Sequence, residues 1–266
     1  MKERPQARKR FGQHFLEPAW ADKLVAAIAP SADDRFLEIG AGPGVLTLRL
    51  ASAVRQVVAV EIDRDMIAAL LRQIPPNVKL VEGDFLDFDL RALLGDGPIR
   101  VAGNLPYNVS SPILFKLLRD HRTRGGIQDA TLMLQREVAE RLEASPGSGD
   151  YGVLAILVQL HADVRRVLTL PPGAFRPIPK VHSAVVRLTF RAPAVALRDE
   201  SVFERLVRSI FTQRRKTMAN ALKPIAASYG REARHLLGAA DIDPSRRPET
   251  LDLAQLARLS DLLSSA

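Results

Sequence analysis

The stretch Glu38-Ile39-Gly40-Ala41-Gly42-Pro43-Gly44 decides the fold of this chain, because it places a glycine-rich turn directly after an apolar run that begins at Phe36. Glycine has no Cβ and lets the backbone approach a ligand, and open α/β sheets bind ligands at the carboxyl ends of their strands. The G-x-G-x-G spacing departs from the G-x-G-x-x-G dinucleotide fingerprint. Such a turn also occurs where it only permits tight packing, so the rest of the chain has to decide.

Further apolar runs follow the first one at regular intervals, at 57–60, 78–81, 99–102 and 131–134. Helical patterns accompany these runs near 18–29, 44–53, 64–73, 111–121, 136–144 and 151–162. Strand–helix alternation predicts an α/β fold with a parallel sheet that is covered on both faces. Two later runs, 166–170 and 183–190, are expected to close one edge of the sheet as a hairpin-like pair.

The pattern changes after residue 190, because only helical periodicity remains from residue 201 onward. These helices are expected near 202–211, 217–227, 231–239 and 252–263. The predicted organisation is a basic N-terminal arm (1–17), a large α/β domain (18–192), a linker (193–200) and a small all-α domain (201–266).

Composition narrows the class of protein. The 266 residues contain no cysteine, which excludes disulfides and thiolate metal sites, and the five histidines show no metal-ligand spacing, so no metal is expected. There is no run of about eighteen apolar residues and the N-terminus has no apolar signal core. We therefore expect neither a membrane span nor a secretory signal, and a cytoplasmic location.

The charge balance favours a polyanionic partner. Net charge is +8 and the sequence pI is about 10.2. Basic residues cluster near the N-terminus and again at the end of a predicted helix, at Arg8, Lys9, Arg10, Arg214, Arg215 and Lys216. These clusters are interpreted as phosphate-binding surfaces, with a solvated helix end as the alternative for the second one.

Four polar or glycine residues end four consecutive predicted strands: Gly40, Glu61, Asp84 and Asn104. They are expected to converge on one crevice. A carboxylate at Glu61 can accept hydrogen bonds from ribose hydroxyls, although a surface acid is the alternative there, and Asp84 can accept one from an adenine amino group. Since the phosphate-binding P-loop lysine is absent, this nucleoside site indicates S-adenosylmethionine rather than NAD or ATP.

The tetrapeptide Asn104-Leu105-Pro106-Tyr107 carries the parts needed to methylate an exocyclic amine. The lone pair of an aromatic amine is delocalised into the ring, so acceptors placed against its N–H bonds make it a better nucleophile. The Asn104 carboxamide and a neighbouring backbone carbonyl are such acceptors. Pro106 restricts Leu105 to an extended conformation, and Tyr107 offers a flat face for a flipped base. The alternative is an ordinary proline turn after a strand.

Nearly the whole chain resembles the KsgA/RsmA-type small-subunit (16S) ribosomal RNA adenine N6,N6-dimethyltransferases. The matching motifs lie at 8–16 (RKRFGQHFL), 38–47, 61–63, 83–84, 104–114, 132–142, 171–185 and 211–222. The resemblance implies a seven-stranded class I methyltransferase sheet that uses S-adenosylmethionine, followed by a helical rRNA-binding domain. It also implies dimethylation of two adjacent adenosines near the 3′ end of 16S rRNA in a pre-30S particle.

The resemblance further assigns roles to individual residues. It places His14, Leu16, Gly40, Glu61, Asp84 and Asn104 at the cofactor, and Asn104, Leu105, Pro106, Tyr107 and Phe175 at the reacting amine. Tyr107 would stack on one face of the target base and Phe175 would close the other. From the residues alone, His14 can instead cap the helix that opens near Pro18, and Phe175 can be a core aromatic.

Two other functions use similar features. One is a large-subunit rRNA adenine methyltransferase that confers resistance, and the other is a non-catalytic assembly or transcription factor on the same fold. No exposed apolar repeat is present, so a monomer is expected.

Overall fold

The computed structural model describes residues 13–95 and 97–265, and within them the chain forms two compact units. Of the described residues, the first unit contains 13–95, 97–139 and 163–190. The second unit contains 140–162 and 191–265. In the described part of the chain, no helix combines the length and the apolar character needed to cross a membrane.

The first unit is built on a seven-stranded sheet, as predicted. In chain order the strands are β1 (Phe15–Leu16), β2 (Arg35–Ile39), β3 (Gln56–Glu61), β4 (Val78–Glu82), β5 (Ile99–Asn104), β6 (Ile127–Gln135), β7 (Ala162–Leu170), β8 (Phe175–Arg176) and β9 (Ser183–Phe190). The spatial order in the large sheet is β4-β3-β2-β5-β6-β9-β7, and β1 and β8 form a separate antiparallel pair. The predicted edge pair of strands is confirmed as β9 and β7.

Strands β4, β3, β2, β5 and β6 run parallel, and β9 pairs antiparallel with β6. The strand order reverses between β2 and β5, which makes their carboxyl ends the switch point where such sheets bind ligands. All five residues of β2 are buried, so both faces of the sheet are covered, as a parallel sheet requires.

Helices α2 (Val45–Ala51), α3 (Arg64–Leu70), α4 (Arg91–Leu94) and α5 (Ser110–Arg124) connect successive parallel strands. Helix α1 (Pro18–Ile28) precedes the first of these strands, and α6 (Arg136–Glu143) follows the last. Pro18 lies in the first turn of α1, where its missing N–H costs nothing. Leu24 and Ile28 of α1 and Leu50 of α2 belong to one buried core cluster with Phe36 of β2 and Val57 of β3.

The second unit is helical, with α7 (Val153–His161), α8 (Glu200–Thr212), α9 (Met218–Ala221), α10 (Lys223–Ser228), α11 (Ala233–Ala239) and α12 (Leu253–Ser264). The prediction of a single helix near 217–227 is wrong, because the structure has two short helices there. Pro224 lies in the first turn of α10, where it is tolerated; within a continuous helix it would remove one hydrogen bond and clash with the preceding turn.

The observed division differs from the predicted 18–192 domain at residues 140–162 and 191–192, which join the helical unit. Helix α7 is almost entirely apolar and most of its residues are buried, so it needs partners on several sides. Helix α8 supplies some of them: His161 pairs with Glu200, and Tyr151, just before α7, meets Phe211 edge-on with ring centroids 6.4 Å apart. The predicted arm of residues 1–17 likewise contributes β1 to the first unit.

Candidate active site

A cavity of about 240 Å³ opens at the carboxyl ends of the central strands. Its walls include Gly40 after β2, Glu61 at the end of β3, Asp84 after β4 and Asn104 at the end of β5. The structure therefore brings together the four residues that the sequence places at consecutive strand ends. The cavity lies at the switch point of the sheet.

The glycine loop is shaped by backbone conformations that other residues rarely adopt. Gly40, Gly42 and Gly44 have φ values of +75°, +52° and +84°. The backbones of β2 and β5 also approach closely next to the loop, since a Cβ added at Gly103 would lie 2.7 Å from the carbonyl oxygen of Ile39. The sequence therefore uses glycine both to turn the loop and to bring the two switch-point strands together.

Glu61 organises this loop. Its side chain is 5% exposed, and it accepts hydrogen bonds from the backbone N–H groups of Gly42 (2.7 Å), Ile62 (2.9 Å) and Asp63 (2.8 Å). A carboxylate has about four acceptor positions, so about one is left for a ligand hydroxyl. The sequence-based interpretation missed this structural role, which leaves the Glu61 carboxylate fewer acceptor positions for ribose hydroxyls than predicted.

Asp84 is exposed and lines the cavity at its β4 side. Its Oδ1 accepts from the Leu86 N–H at 2.8 Å, which orients the carboxylate. The neighbouring Phe85 ring is buried and lines the same cavity, with the ammonium of Lys116 5.4 Å from its centroid. A charged acceptor beside an aromatic ring suits a purine with an exocyclic amine.

The Asn104 carboxamide is oriented by the N-terminal segment. Its Nδ2 donates to the backbone carbonyl of His14 at 2.8 Å, so the Oδ1 atom is left as an acceptor at the cavity. An acceptor in this position is what the methylation hypothesis requires. The orienting contact spans 90 residues of sequence.

The tetrapeptide turn is held against β6, the neighbour of the strand that precedes it. The Leu105 N–H donates to the Met133 carbonyl of β6 at 3.2 Å, and Val109 N–H donates to the Pro106 carbonyl at 3.2 Å. Leu105 is buried, so its side chain fixes the turn against the core. The Leu105 carbonyl follows Asn104 directly and is the candidate for the second acceptor.

Tyr107 is fixed at both ends. Its hydroxyl shares a 2.8 Å hydrogen bond with Ser183 Oγ, and its ring stacks on that of His14 with centroids 5.6 Å apart and an angle of 26°. Burial raises the pKa of the Tyr107 phenol, against the opposing effect of the Ser183 hydrogen bond. The ring is therefore a neutral platform with one face already covered by His14.

His14 and Leu16 hold the N-terminal segment against the site. His14 Nδ1 lies 2.8 Å from the Pro177 carbonyl, and the residue at the start of α1 is Glu17, which makes no side-chain cap. The alternative of His14 as a helix cap is therefore wrong. Leu16 is buried in β1 and lines a smaller adjoining cavity rather than the large one.

Phe175 does not occupy the predicted position. Its side chain is 0% exposed, pairs through the backbone with Leu16, and belongs to the core cluster rather than to the cavity walls. The physical reason is that β8 pairs with β1, which directs this aromatic residue into the core. The interpretation of Phe175 as a core aromatic is the one that the structure supports.

The predicted RNA-binding residues fall into three groups. Arg8, Lys9 and Arg10 lie outside the described residues. Arg214 is half-buried and donates to the carbonyls of Ser148 (3.3 Å) and Gly149 (2.6 Å), so it holds a loop of the helical unit. Arg215 and Lys216 are exposed just after α8.

Sequence reasoning missed several residues that shape the site. Ser183 fixes Tyr107, Gln13 donates to Asp63 at 3.2 Å, and Glu38 is buried beneath the glycine loop. Only Glu38 carries a signal in the sequence, because an acid within an otherwise apolar strand is unusual. The other two depend on contacts between distant segments.

Known proteins resemble this chain over nearly its full length. A family model described as “Ribosomal RNA adenine dimethylase” matches residues 4–263. The chain is 47% identical to “Ribosomal RNA small subunit methyltransferase A” of Pseudomonas savastanoi pv. phaseolicola, an alignment that covers 97% of this chain and 95% of the relative.

Two solved structures share the architecture. A dimethyladenosine transferase from Plasmodium falciparum is 28% identical with a TM-score of 0.74, covering 92% of this chain and 96% of that one. The 23S rRNA methyltransferase ErmE is 26% identical with a TM-score of 0.69, covering 94% and 100%. With its seven-stranded sheet and a family match over nearly its full length, the chain belongs to the ribosomal RNA adenine dimethylase family.

Proposed function

We propose that this protein transfers methyl groups from S-adenosylmethionine to N6 of two adjacent adenosines near the 3′ end of 16S rRNA, dimethylating each. The substrate is the rRNA in an immature small subunit, and the enzyme acts as a monomer without a metal. Family membership and the small-subunit methyltransferase relative support this reading. The observation that carries it is the Asn104 carboxamide, whose nitrogen is held by His14 so that its oxygen is left at the cavity.

The residues of the cavity fit S-adenosylmethionine. Asp84 and Phe85 provide an acceptor and an aromatic wall for adenine, and Glu61 has about one acceptor position left for a ribose hydroxyl. Acidic and carbonyl groups also suit a cationic ligand. When bound, S-adenosylmethionine supplies an electrophilic methyl group.

The protein activates the amine by accepting its hydrogen bonds. Asn104 Oδ1 and the Leu105 carbonyl can each take one N–H of adenine N6, which keeps the lone pair on nitrogen instead of in the ring. Each methyl added replaces one N–H, whose proton passes to solvent. The dimethylated amine therefore has no N–H to donate to either acceptor. Water can donate to both, so binding of the product is disfavoured relative to water at these acceptors.

Tyr107 positions the target base. Since His14 covers one face of its ring, the flipped adenine stacks on the other face. The Ser183 hydrogen bond stops the ring from turning, so the base is presented to Asn104 in one orientation. No second stacking residue is assigned, because Phe175 is buried.

The test is a transfer assay with labelled S-adenosylmethionine on small subunits from cells that lack this methylation, followed by mapping of the labelled nucleotides. The proposal expects label in two adjacent adenosines of 16S rRNA and none in large subunits treated in parallel. Label in 23S rRNA alone would favour the large-subunit alternative. Binding to small subunits without any transfer would favour the assembly-factor alternative.

A further inference from the structure

Two exposed apolar side chains lie close together in a loop that the proposed mechanism does not use. This loop, called here the rim loop, consists of residues 177–182 between β8 and β9. Ile178 is 59% exposed and Val181 is 42% exposed, so the rim loop holds two of the large apolar side chains that the described part of the chain leaves in solvent. Single exposed apolar residues are common on protein surfaces, so a ligand has to be inferred from their surroundings.

The backbone of the rim loop is constrained at several points. Pro177 and Pro179 fix two of its φ angles, and Pro179 is buried. The His182 carbonyl accepts a hydrogen bond from the Arg136 N–H at 3.0 Å. The exposed side chains are therefore carried by a prepared surface, and a ligand that binds them meets a loop that loses little conformational freedom.

Both ends of the rim loop contact the aromatic pair that forms the proposed base platform. The Pro177 carbonyl lies 2.8 Å from His14 Nδ1, and Ser183, directly after the loop, shares a 2.8 Å hydrogen bond with the Tyr107 hydroxyl. The rings of His14 and Tyr107 stack on each other. None of residues 177–182 lines the large cavity, so the rim loop lies beside the site without forming the pocket for cofactor and target base.

The charge of the rim loop suits a polyanion. Lys180 is exposed between the two apolar residues, and the segment 171–182 contains no acidic residue. Arg176, just before the loop, pairs with Glu17 at 3.5 Å, so Lys180 is the ammonium that the loop itself presents. Sites for single-stranded nucleic acid combine surfaces on which bases pack with cations that contact phosphates. Two apolar groups around an ammonium, next to a pocket for a purine, provide both.

Extrusion of the target base brings RNA to this loop. An adenosine that stacks on Tyr107 stays joined to its neighbours in the strand, so these nucleotides lie at the mouth of the cavity. Extrusion also unstacks the neighbours and leaves the flat faces of their bases uncovered. Aliphatic side chains beside the cavity can cover these faces, as apolar wedges do in proteins that unstack nucleic acids.

We propose that the rim loop is a docking surface for the single-stranded RNA around the target. Ile178 and Val181 pack against the nucleotides next to the extruded adenosine, and Lys180 contacts a neighbouring phosphate. The inference rests on the proposed function and adds the part of the protein that holds the substrate outside the pocket. The contacts are the same before and during methyl transfer, so they lower KM for small subunits and leave kcat unchanged.

The first experiment compares methyl transfer to unmethylated small subunits by the full-length protein and by the double variant Ile178→Ala/Val181→Ala. The variant is expected to raise KM for small subunits about tenfold, with kcat, the affinity for S-adenosylmethionine and the urea midpoint unchanged. The matched control is Leu71→Ala, which truncates a 57% exposed residue at the end of α3, outside the large cavity, and is expected to leave KM unchanged. Lys180→Gln is expected to lower the log–log salt dependence of subunit binding by about 0.7.

The second experiment identifies the molecule that lies against the rim loop. The chain contains no cysteine, so Ile178→Cys and Leu71→Cys each introduce a single thiol to which an iron–EDTA probe is attached. Hydroxyl radicals from the probe at position 178 are expected to cleave 16S rRNA next to the methylated adenosines. Radicals from position 71 are expected to leave these nucleotides intact.

The outcomes separate this inference from the proposed function. An unchanged KM in the double variant, or equal cleavage from positions 178 and 71, refutes docking at the rim loop, while transfer by the unsubstituted protein still supports the proposed function. A raised KM without cleavage near the methylated adenosines would place a subunit protein on the loop and overturn its assignment to RNA. If the unsubstituted protein transfers no methyl group to small subunits, the proposed function fails, and cleavage from position 178 still tests docking because it requires only binding.

Discussion

The buried carboxyl of Glu38 gives a quantitative prediction for the stability of the free protein. Its pKa is about 8 in the folded state, against 4.5 for an ordinary glutamate. Below the lower value the folded and unfolded states are both protonated there. As pH rises from about 4.5 to about 8, the unfolded chain ionises and the folded protein does not, so the folded state is progressively disfavoured.

The size of this effect follows from linkage. One proton of difference corresponds to about 1.4 kcal/mol per pH unit, which accumulates to on the order of 5 kcal/mol across the window. That sum is comparable with the whole stability of a typical domain, about 5–15 kcal/mol. Glu38→Gln removes the titration, and any cost of an unpaired amide is the same at every pH.

Urea unfolding at several pH values tests this prediction. The transition is monitored by the fluorescence of Trp20, the single tryptophan, which lies in α1 of the first unit. The stability difference between Glu38→Gln and the unsubstituted protein is expected to move in favour of the variant by about 1.4 kcal/mol per pH unit between about pH 5 and 8. The control is Glu82→Gln, which removes an exposed carboxylate at the end of β4 that pairs with Arg64, and this variant is not expected to gain on the unsubstituted protein as pH rises. If the Glu38→Gln curve runs parallel to that of the unsubstituted protein, the carboxyl is not held protonated by the fold.

Three further changes test other parts of the account. Gly103→Ala places a methyl group against the Ile39 carbonyl, so urea unfolding is expected to show a loss of about 1–3 kcal/mol, and a loss below about 0.5 kcal/mol would contradict the tight strand contact. Tyr107→Ala removes a stacking surface worth about 1–3 kcal/mol, so kcat/KM on small subunits is expected to fall about 10–100-fold with cofactor affinity unchanged. Tyr107→Phe keeps the ring and loses only the hydrogen bond to Ser183, so its kcat/KM is expected to fall less. Replacing Arg215 and Lys216 with Gln is expected to lower the log–log salt dependence of rRNA binding by about 0.7–0.9 per lost contact; an unchanged slope would assign both to a solvated helix end.

Local pattern was sufficient to predict most of the framework. The strand runs that begin at 57 and 78 match β3 and β4 within two residues at either end, because apolar runs bounded by turns are a local property. The placement of α7 was not predicted. Strand–helix alternation continues through 151–162, and only the partners of this helix show that it packs with the C-terminal helices.

The candidate site was predictable to the extent that strand ends determine it. Gly40 and Asp84 reach the cavity because parallel strands end at one edge. What could not be predicted is how distant segments adjust the chemistry. The His14 carbonyl that orients Asn104 is 90 residues away, and the Ser183 hydroxyl that fixes Tyr107 is 76 residues away. The prediction for Phe175 failed for the same reason, since the pairing of β8 with β1 decides which way this side chain faces.

The most direct test of the account is the rate of methyl transfer by Asn104→Ala under single-turnover conditions, with unmethylated small subunits and saturating S-adenosylmethionine. If the Asn104 oxygen activates the target amine, transfer falls by at least about a hundredfold, while the free energy of unfolding falls by only about 1 kcal/mol for the lost hydrogen bond to His14. Transfer at an undiminished rate would show that the amine is activated by some other group.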